Sequence, residues 1–389
     1  MRICLVSSSF HPATYYGGPI SATWGLSKMI NSNDIAIYVS TTNANGYNRL
    51  STITNEFIQK DKNFFVKYYH EQIINHFSVS FLFGIWGDIK KSDIVYVQYL
   101  FHYTVLFALF ASVIQRKKVV LSPRGSLSTF TLSYKRSFLK SLWIKLFIKP
   151  FYKFFNWHAS SYLEAEDIKK MLPNAKLEII NDGVDFLSFQ KFKKYDKETL
   201  IYNYTNIKFK DISNVFFSLG RLHTIKGFNI LIDAFSIFIE KSTASKLIIA
   251  GGDDGEEDKL RKQIIDLNLQ DSVFLIGEIG FEDKKILLNN CDYFTLASNF
   301  ESFGIVIAEA LSCGKPVVIS NKTPWKNLEI NKCGILVDNE KNKFADALSD
   351  ILSFSYDSKS IKNYIKSNYD WNIIIDRFLK SIKNIKCIF

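Results

Sequence analysis

Residues 294–320, FTLASNFESFGIVIAEALSCGKPVVIS, leave this chain little choice of fold. The short apolar run 293–297 has the composition of a buried strand, and the polar turn Ser298-Asn299-Phe300-Glu301-Ser302 ends it. Beyond the turn, Ile305, Ile307, Ala308 and Leu311 recur close to helical spacing. Cys313-Gly314-Lys315-Pro316 then stops that helix, with Gly just past its end and Pro soon after. Residues 317–320 read as the next strand. A strand, loop, helix and strand in this order form one unit of a parallel sheet and predict the α/β class.

That unit also places chemistry. Glu301 falls at the carboxyl end of a strand, where open α/β sheets bind ligands. Gly304 and the following Ile305 and Val306 open the helix, and the first amides of a helix lack internal partners and attract anions. Glu309 lies about two turns from Glu301. A carboxylate only accepts, so Glu309 suits the paired hydroxyls of a ribose or a sugar. A second reading makes both glutamates solvated charges flanking an ordinary helix.

Three further loops follow predicted strands. Gly17-Gly18 comes after the strand at 1–7 and lets a backbone approach a phosphate or sugar closely. Pro123-Arg124-Gly125-Ser126 follows the strand at 118–122, with Arg124 either at a ligand or on a plain surface turn. Gly220-Arg221-Leu222-His223-Thr224-Ile225-Lys226-Gly227 follows the strand at 215–219. Arg221 as a fork and Lys226 as a point charge can converge there on a diphosphate.

Glu301, seven residues and Glu309, with Phe303-Gly304 between and Ala-Leu-Ser-Cys-Gly-Lys-Pro-Val-Val after, resembles the signature of the retaining glycosyltransferases of family 4, the glycosyl transferases group 1. The Gly-Arg…Lys-Gly loop, the glycine pair, the Arg124 loop and the turn with Asn181, Gly183 and Asp185 resemble further motifs of that family. The resemblance implies a GT-B fold, two Rossmann-like parallel-sheet domains facing across a cleft. It implies transfer of a hexosyl group from a nucleotide-diphosphate sugar to a glycan or lipid-linked acceptor, as in bacterial capsule, O-antigen or exopolysaccharide assembly. Arg221, Lys226 and Glu301 take the catalytic positions. Gly17, Gly18, Arg124, Gly220, Phe303, Gly304, Ile305, Val306 and Glu309 take the donor-binding ones. No cofactor or metal is implied, since the nucleotide sugar is a substrate. The acidic cluster at 253–258 reads as a helix cap. A GT-B epimerase or phosphorylase shares the architecture, and a catalytically inactive basic module accounts for the charge.

At 389 residues the chain calls for two domains. We expect an N-terminal domain over 1–188, a connection over the lysine-rich 189–212, a nucleotide-sugar domain over 213–368, and a helix at 369–389 packing back on the first domain. Net charge is +11, which fits an anionic partner. A nucleic-acid module would explain that charge but leaves Glu309 without a role, so no nucleic acid is expected. Five unpaired-looking cysteines (Cys4, Cys291, Cys313, Cys333, Cys387) fit a reduced, cytosolic protein, and no cleavable leader is evident. Residues 99–114 are strongly apolar but too short to span a bilayer, and read as a buried helix. Residues 134–157 mix Lys and Arg with Phe, Trp, Leu and Ile, with Pro150 dividing two short helices. This suits docking on an anionic membrane, at the inner face of the cell membrane, and equally suits a helix whose lysines snorkel from a buried face.

Overall fold

The computed structural model describes residues 1–33, 35–72 and 77–385, the side chain of Thr14 excepted. It divides into two units, Met1–Gly183 with the segment from Trp371, and Val184–Asp370.

Among the described residues, eight strands form the sheet of the first unit. Their order is Lys176–Ile179, Asn156–Ala159, Lys118–Ser122, Ile94–Gln98, Arg2–Val6, Ala36–Thr42, Phe64–Tyr69 and Phe57–Asp61. All neighbours pair in parallel except the last two. The inner strands are largely buried and mostly apolar, as a sheet covered on both faces requires. The helix Trp371–Lys383 closes one face: Ile374, Ile375, Phe378, Leu379 and Ile382 make one buried stripe against the helix Gly18–Ser32 and the sheet. Trp371 occupies the space beside Gly25 and Gly183, where an added Cβ would lie 2.5 and 2.4 Å from its indole. Residues 386–389, the end of the expected tail with Cys387, lie outside the described residues.

The second unit has a parallel sheet in the order Val273–Leu275, Lys246–Ala250, Val215–Leu219, Tyr293–Leu296, Val317–Ser320 and Gly334–Val337. The order reverses between Val215–Leu219 and Tyr293–Leu296. This is the topological switch point, outside whose carboxyl ends doubly wound sheets bind ligands.

The division falls earlier than 188, and 189–212 is no bare connection. Val184, Phe186 and Phe189 are buried in the second core, and the helix Lys197–Thr205 adds Leu200 and Ile201 to it. Val184 N donates to Tyr369 O (2.8 Å), so the second unit runs to Asp370 rather than 368.

The helix Tyr103–Ile114 is buried on one face only. Val105, Ala108 and Leu109 face the core, while Phe107, Phe110 and Ile114 are exposed. Residues 134–157 also divide. The helix Ser137–Trp143 runs into a π turn, Ile144–Ile148, and a 3-10 turn, Tyr152–Phe154, leads to the strand Asn156–Ala159. Ile144, Ile148, Phe155 and Trp157 are core, but Phe138 is 76% exposed and Leu139, Leu146 and Phe151 are exposed with it. Among the described residues no helix is long and apolar enough to cross a membrane. Cys4, Cys291, Cys313 and Cys333 are free and buried.

Candidate active site

The switch point of the second sheet joins two loops into one body. The strand Val215–Leu219 leads to Gly220-Arg221 and a 3-10 turn, Thr224–Lys226; Gly227 then opens the helix Phe228–Ile239. The adjacent strand Tyr293–Leu296 leads to Ser298–Ser302. Asn299 ties the loops together: its N donates to Ile225 O (2.7 Å) and its Nδ2 to Thr224 O (2.8 Å). Asn339 Nδ2 in turn donates to Asn299 Oδ1 (2.9 Å). Gly227 sits at φ 63°, and a Cβ there would fall 1.9 Å from the Ala297 carbonyl oxygen. Contact with the neighbouring strand end therefore explains the glycine that follows Lys226.

The loops bring Lys226 Nζ to 2.6 Å from Glu301 Oε1, and Ser298 Oγ donates to the same oxygen (2.7 Å). Glu301 is 9% exposed. Gly220 lies under the Lys226 stem, which would be 3.1 Å from a Cβ added there. Gly304 caps the helix Ile305–Ser312, whose first amides, at Ile305 and Val306, are by position those without intrahelical partners. Four residues into that helix, Glu309 is 6% exposed and pairs with Lys284 Nζ at 2.6 Å. Neither glutamate is a solvated charge: each is buried and opposed by a lysine.

Two expected residues are placed differently. Arg221 is paired with the acidic cluster: its Nη1 is 2.5 Å from Asp254 Oδ2, and its side chain is 39% exposed. The Phe303 ring is buried in its own unit beside Trp325 and Tyr369, and its carbonyl accepts from Trp325 Nε1 (2.8 Å). Its ring thus supports the loop from behind. Asp253 is the cap of the acidic cluster, accepting from the amides of Gly255, Glu256 and Glu257; those bonds, Glu257 first, hold its carboxyl below the usual range. Among the described residues no group of three His, Cys, Asp or Glu side chains is placed to hold a metal ion.

In the first unit, Gly17 (φ 68°) caps the helix Gly18–Ser32. Arg124 is no surface residue: it is buried, with Nη1 2.6 Å from Asp182 Oδ1 and with Nε and Nη2 lacking hydrogen-bond partners among the described residues. Burial is the largest single influence and works against its charge, but Asp182, Tyr96 and Glu164 together outweigh it, so its pKa is raised. Glu164 holds the loop by accepting from the amides of Gly125 (2.6 Å) and Ser160 (2.7 Å).

Ser298, Asn299, Asp254 and Lys284 were missed in the sequence. The first two stand inside the motif loop, where a hydroxyl and an amide before a glutamate were a usable signal. Lys284 comes from the helix Phe281–Asn290, and nothing local in the sequence links it to Glu309. Tyr96 and His158 were also given no role. His158 Nε2 donates to Ile180 O (2.7 Å), and Nδ1 lies 2.6 Å from Tyr96 OH, which donates to it when the ring is neutral.

Burial first, then the Arg124 charge, lower the His158 pKa to about 4. Because the folded value lies below the unfolded one of about 6.5, this contribution is complete above that pH and is lost as pH falls toward 4. Stability is expected to fall by about 1.4 kcal/mol per pH unit across this window through His158. His158→Gln should flatten that slope in urea unfolding; an unchanged slope would assign it to other groups.

Residues 203–370 match the model of the glycosyl transferases group 1 family. The chain is 34% identical over 113 residues to mannosylfructose-phosphate synthase of Agrobacterium fabrum, covering 27% of this chain and 25% of that one. With the GDP-mannose:cellobiosyl-diphosphopolyprenol alpha-mannosyltransferase of Xanthomonas oryzae it shares 23% identity over 305 residues, 76% of this chain and 75% of the other. Against three of the curated relatives it matches, the chain spans only 25–53% of their length. The solved structure of Anabaena HepE in complex with UDP and glucose superposes with a TM-score of 0.73 at 19% identity, over 98% of this chain and 99% of that one. The fold is that of the GT-B proteins, and residues 203–370 are similar to the glycosyl transferases group 1 family.

Proposed function

We propose that this protein transfers a hexosyl residue from a nucleotide-diphosphate sugar to a glycan or lipid-linked acceptor, with retention at the anomeric carbon and without a metal. The observation that carries the reading is the buried Lys226–Glu301 pair beside the first amides of the helix Ile305–Ser312, at the switch point of the second sheet. As the bond from sugar to diphosphate breaks, negative charge grows on the leaving phosphate. Lys226, Arg221 and the amides of Ile305 and Val306 supply fixed positive ends for that charge. Both hydrogen bonds to Glu301 fall on Oε1, which makes Oε2 the atom to accept from donor-sugar hydroxyls. Glu309 accepts from the ribose hydroxyls, with Lys284 orienting its carboxylate. The front-face attack of the family needs no covalent nucleophile, and none is nominated.

Gly17, Gly18 and Arg124, on the first unit, serve the acceptor and the sugar. The Xanthomonas relative is named for a diphosphopolyprenol acceptor. A lipid-linked acceptor of bacterial surface-polysaccharide assembly, with the enzyme on the inner face of the cell membrane, is the corresponding reading here.

Thermal shift against a panel of UDP- and GDP-sugars tests the proposal, since ligand at a hundred times its Kd adds about 2.7 kcal/mol of stability. One donor should raise the melting temperature, and Glu309→Gln should weaken the bare nucleoside diphosphate at least tenfold in calorimetry. Absence of any shift across the panel, or equal affinity in the variant, would overturn the assignment.

A further inference from the structure

We propose that the first unit carries a binding groove for a hydrocarbon chain and docks through it on an anionic phospholipid leaflet. The docking extends the lipid-linked acceptor reading and rests on it for its purpose; its residues lie outside the donor site.

The groove runs between the outer face of the helix Tyr103–Ile114 and the turn-rich segment after Ser137–Trp143. Leu106, Phe107, Phe110 and Ile114 line one wall, Phe147 and Phe151 the other, and its volume is about 350 Å³. That volume is within the range of small-molecule sites, about 300–1,000 Å³. Phe110 is 64% exposed, and Phe138, Leu139 and Leu146 continue the apolar surface beyond the groove. Contiguous apolar surface of this kind marks an interaction site, whereas single exposed apolar residues do not.

Charge decides the occupant. Between Asp93 and Glu164 the sequence holds ten of its 49 Lys and Arg and none of its 38 Asp and Glu, so the rest of the chain nets only +1 of the +11. The groove belongs to this acid-free stretch. Lys145, Lys149 and Lys153 alternate with Phe147 and Phe151 along one segment and are all exposed. A protein partner with an apolar insert would not need the three exposed lysines along this wall, and a second copy of this chain would bring the same lysines. An anionic leaflet supplies both requirements, phosphate for the lysines and acyl chains for the groove. The π turn Ile144–Ile148 fits this arrangement: Ile144 and Ile148 face the core while Lys145, Leu146 and Phe147 between them all face outward.

Flotation of the full chain with phosphatidylcholine vesicles, with and without phosphatidylglycerol, tests the proposal. Wild type should float only with phosphatidylglycerol and fall away as salt rises. Replacing Lys145, Lys149 and Lys153 by Gln together should lower partitioning about a hundredfold, and the pair Phe110→Ser, Phe151→Ser at least about tenfold. Nucleoside diphosphate affinity should stay unchanged in both variants; it reads the donor site separately, so failure of docking and failure of the transferase reading are told apart. Wild type remaining in the soluble fraction at low salt would overturn the proposal. So would a Phe variant that floats like wild type, because the groove then takes no chain. A concentration-dependent dimer abolished by Phe110→Ser would assign the face to a second copy and overturn it as well.

Discussion

Lys226→Ala is expected to lower kcat/KM by about a hundredfold or more, because one preorganised cation facing a leaving group is worth roughly 3 kcal/mol in the transition state. The structure adds a second consequence. Lys226 is the cationic partner of the buried Glu301, so its removal leaves that carboxylate with the Ser298 hydroxyl alone. Stranding one member of a buried pair typically costs about 3–5 kcal/mol. The two effects separate in the double variant Lys226→Ala, Glu301→Gln, which removes the stranded charge. Its melting temperature should recover while turnover stays low. Arg221→Ala should cost less, because Arg221 is well exposed and already shared with Asp254. Recovery of turnover together with stability in the double variant would show that neither Lys226 nor the Glu301 carboxylate acts on the donor.

Gly227→Ala is expected to destabilise the second unit by about 3 kcal/mol, one of the larger effects available to a single methyl group. The left-handed backbone alone disfavours any Cβ, and this Cβ would meet the Ala297 carbonyl oxygen at 1.9 Å. Neither atom can swing aside, since the oxygen is a backbone carbonyl and the backbone fixes where the Cβ stands. For a unit of this size the loss corresponds to a fall of roughly 6–12 °C in melting temperature. Because Lys226 is the preceding residue, turnover should fall further than stability at temperatures where the variant is folded. Scanning calorimetry and steady-state kinetics on the same preparation check both. Wild-type melting would mean that the two loops slide past each other freely.

Much of this was legible in the sequence for a physical reason: parallel strands buried on both faces are uniformly apolar, and helices entered through glycine and left through Gly-Lys-Pro punctuate them. The strands Lys118–Ser122, Val215–Leu219 and Val317–Ser320 were read with their observed bounds. Less legible were pairings between distant segments. Glu309 was visible as a carboxylate on a helix, but its lysine comes from another helix, and no spacing rule joins Lys284 to it. Arg124 looked equally like a turn residue, since its burial depends on Asp182, 58 positions away. The boundary was misplaced because Phe186 and Phe189 follow the turn closely and carry no sign of which core receives them. The helix Tyr103–Ile114 read as buried because apolar residues circle it, and only the structure shows which of them lack a covering layer.

The return of Trp371–Lys383 to the first unit has a temporal meaning. The chain leaves that unit at Gly183 and re-enters at Trp371, and the two residues touch, so the entire second unit is an insertion between neighbours. During synthesis the 187 inserted residues must be made before the closing helix exists, an interval of roughly 10–40 s at 5–20 residues per second. Throughout that interval the surface formed by Leu26, Ile30 and Ile94 lacks the apolar stripe that later covers it. The second unit, contiguous in sequence, can complete its own core first. The part of the chain made earliest is thus the last to be sealed.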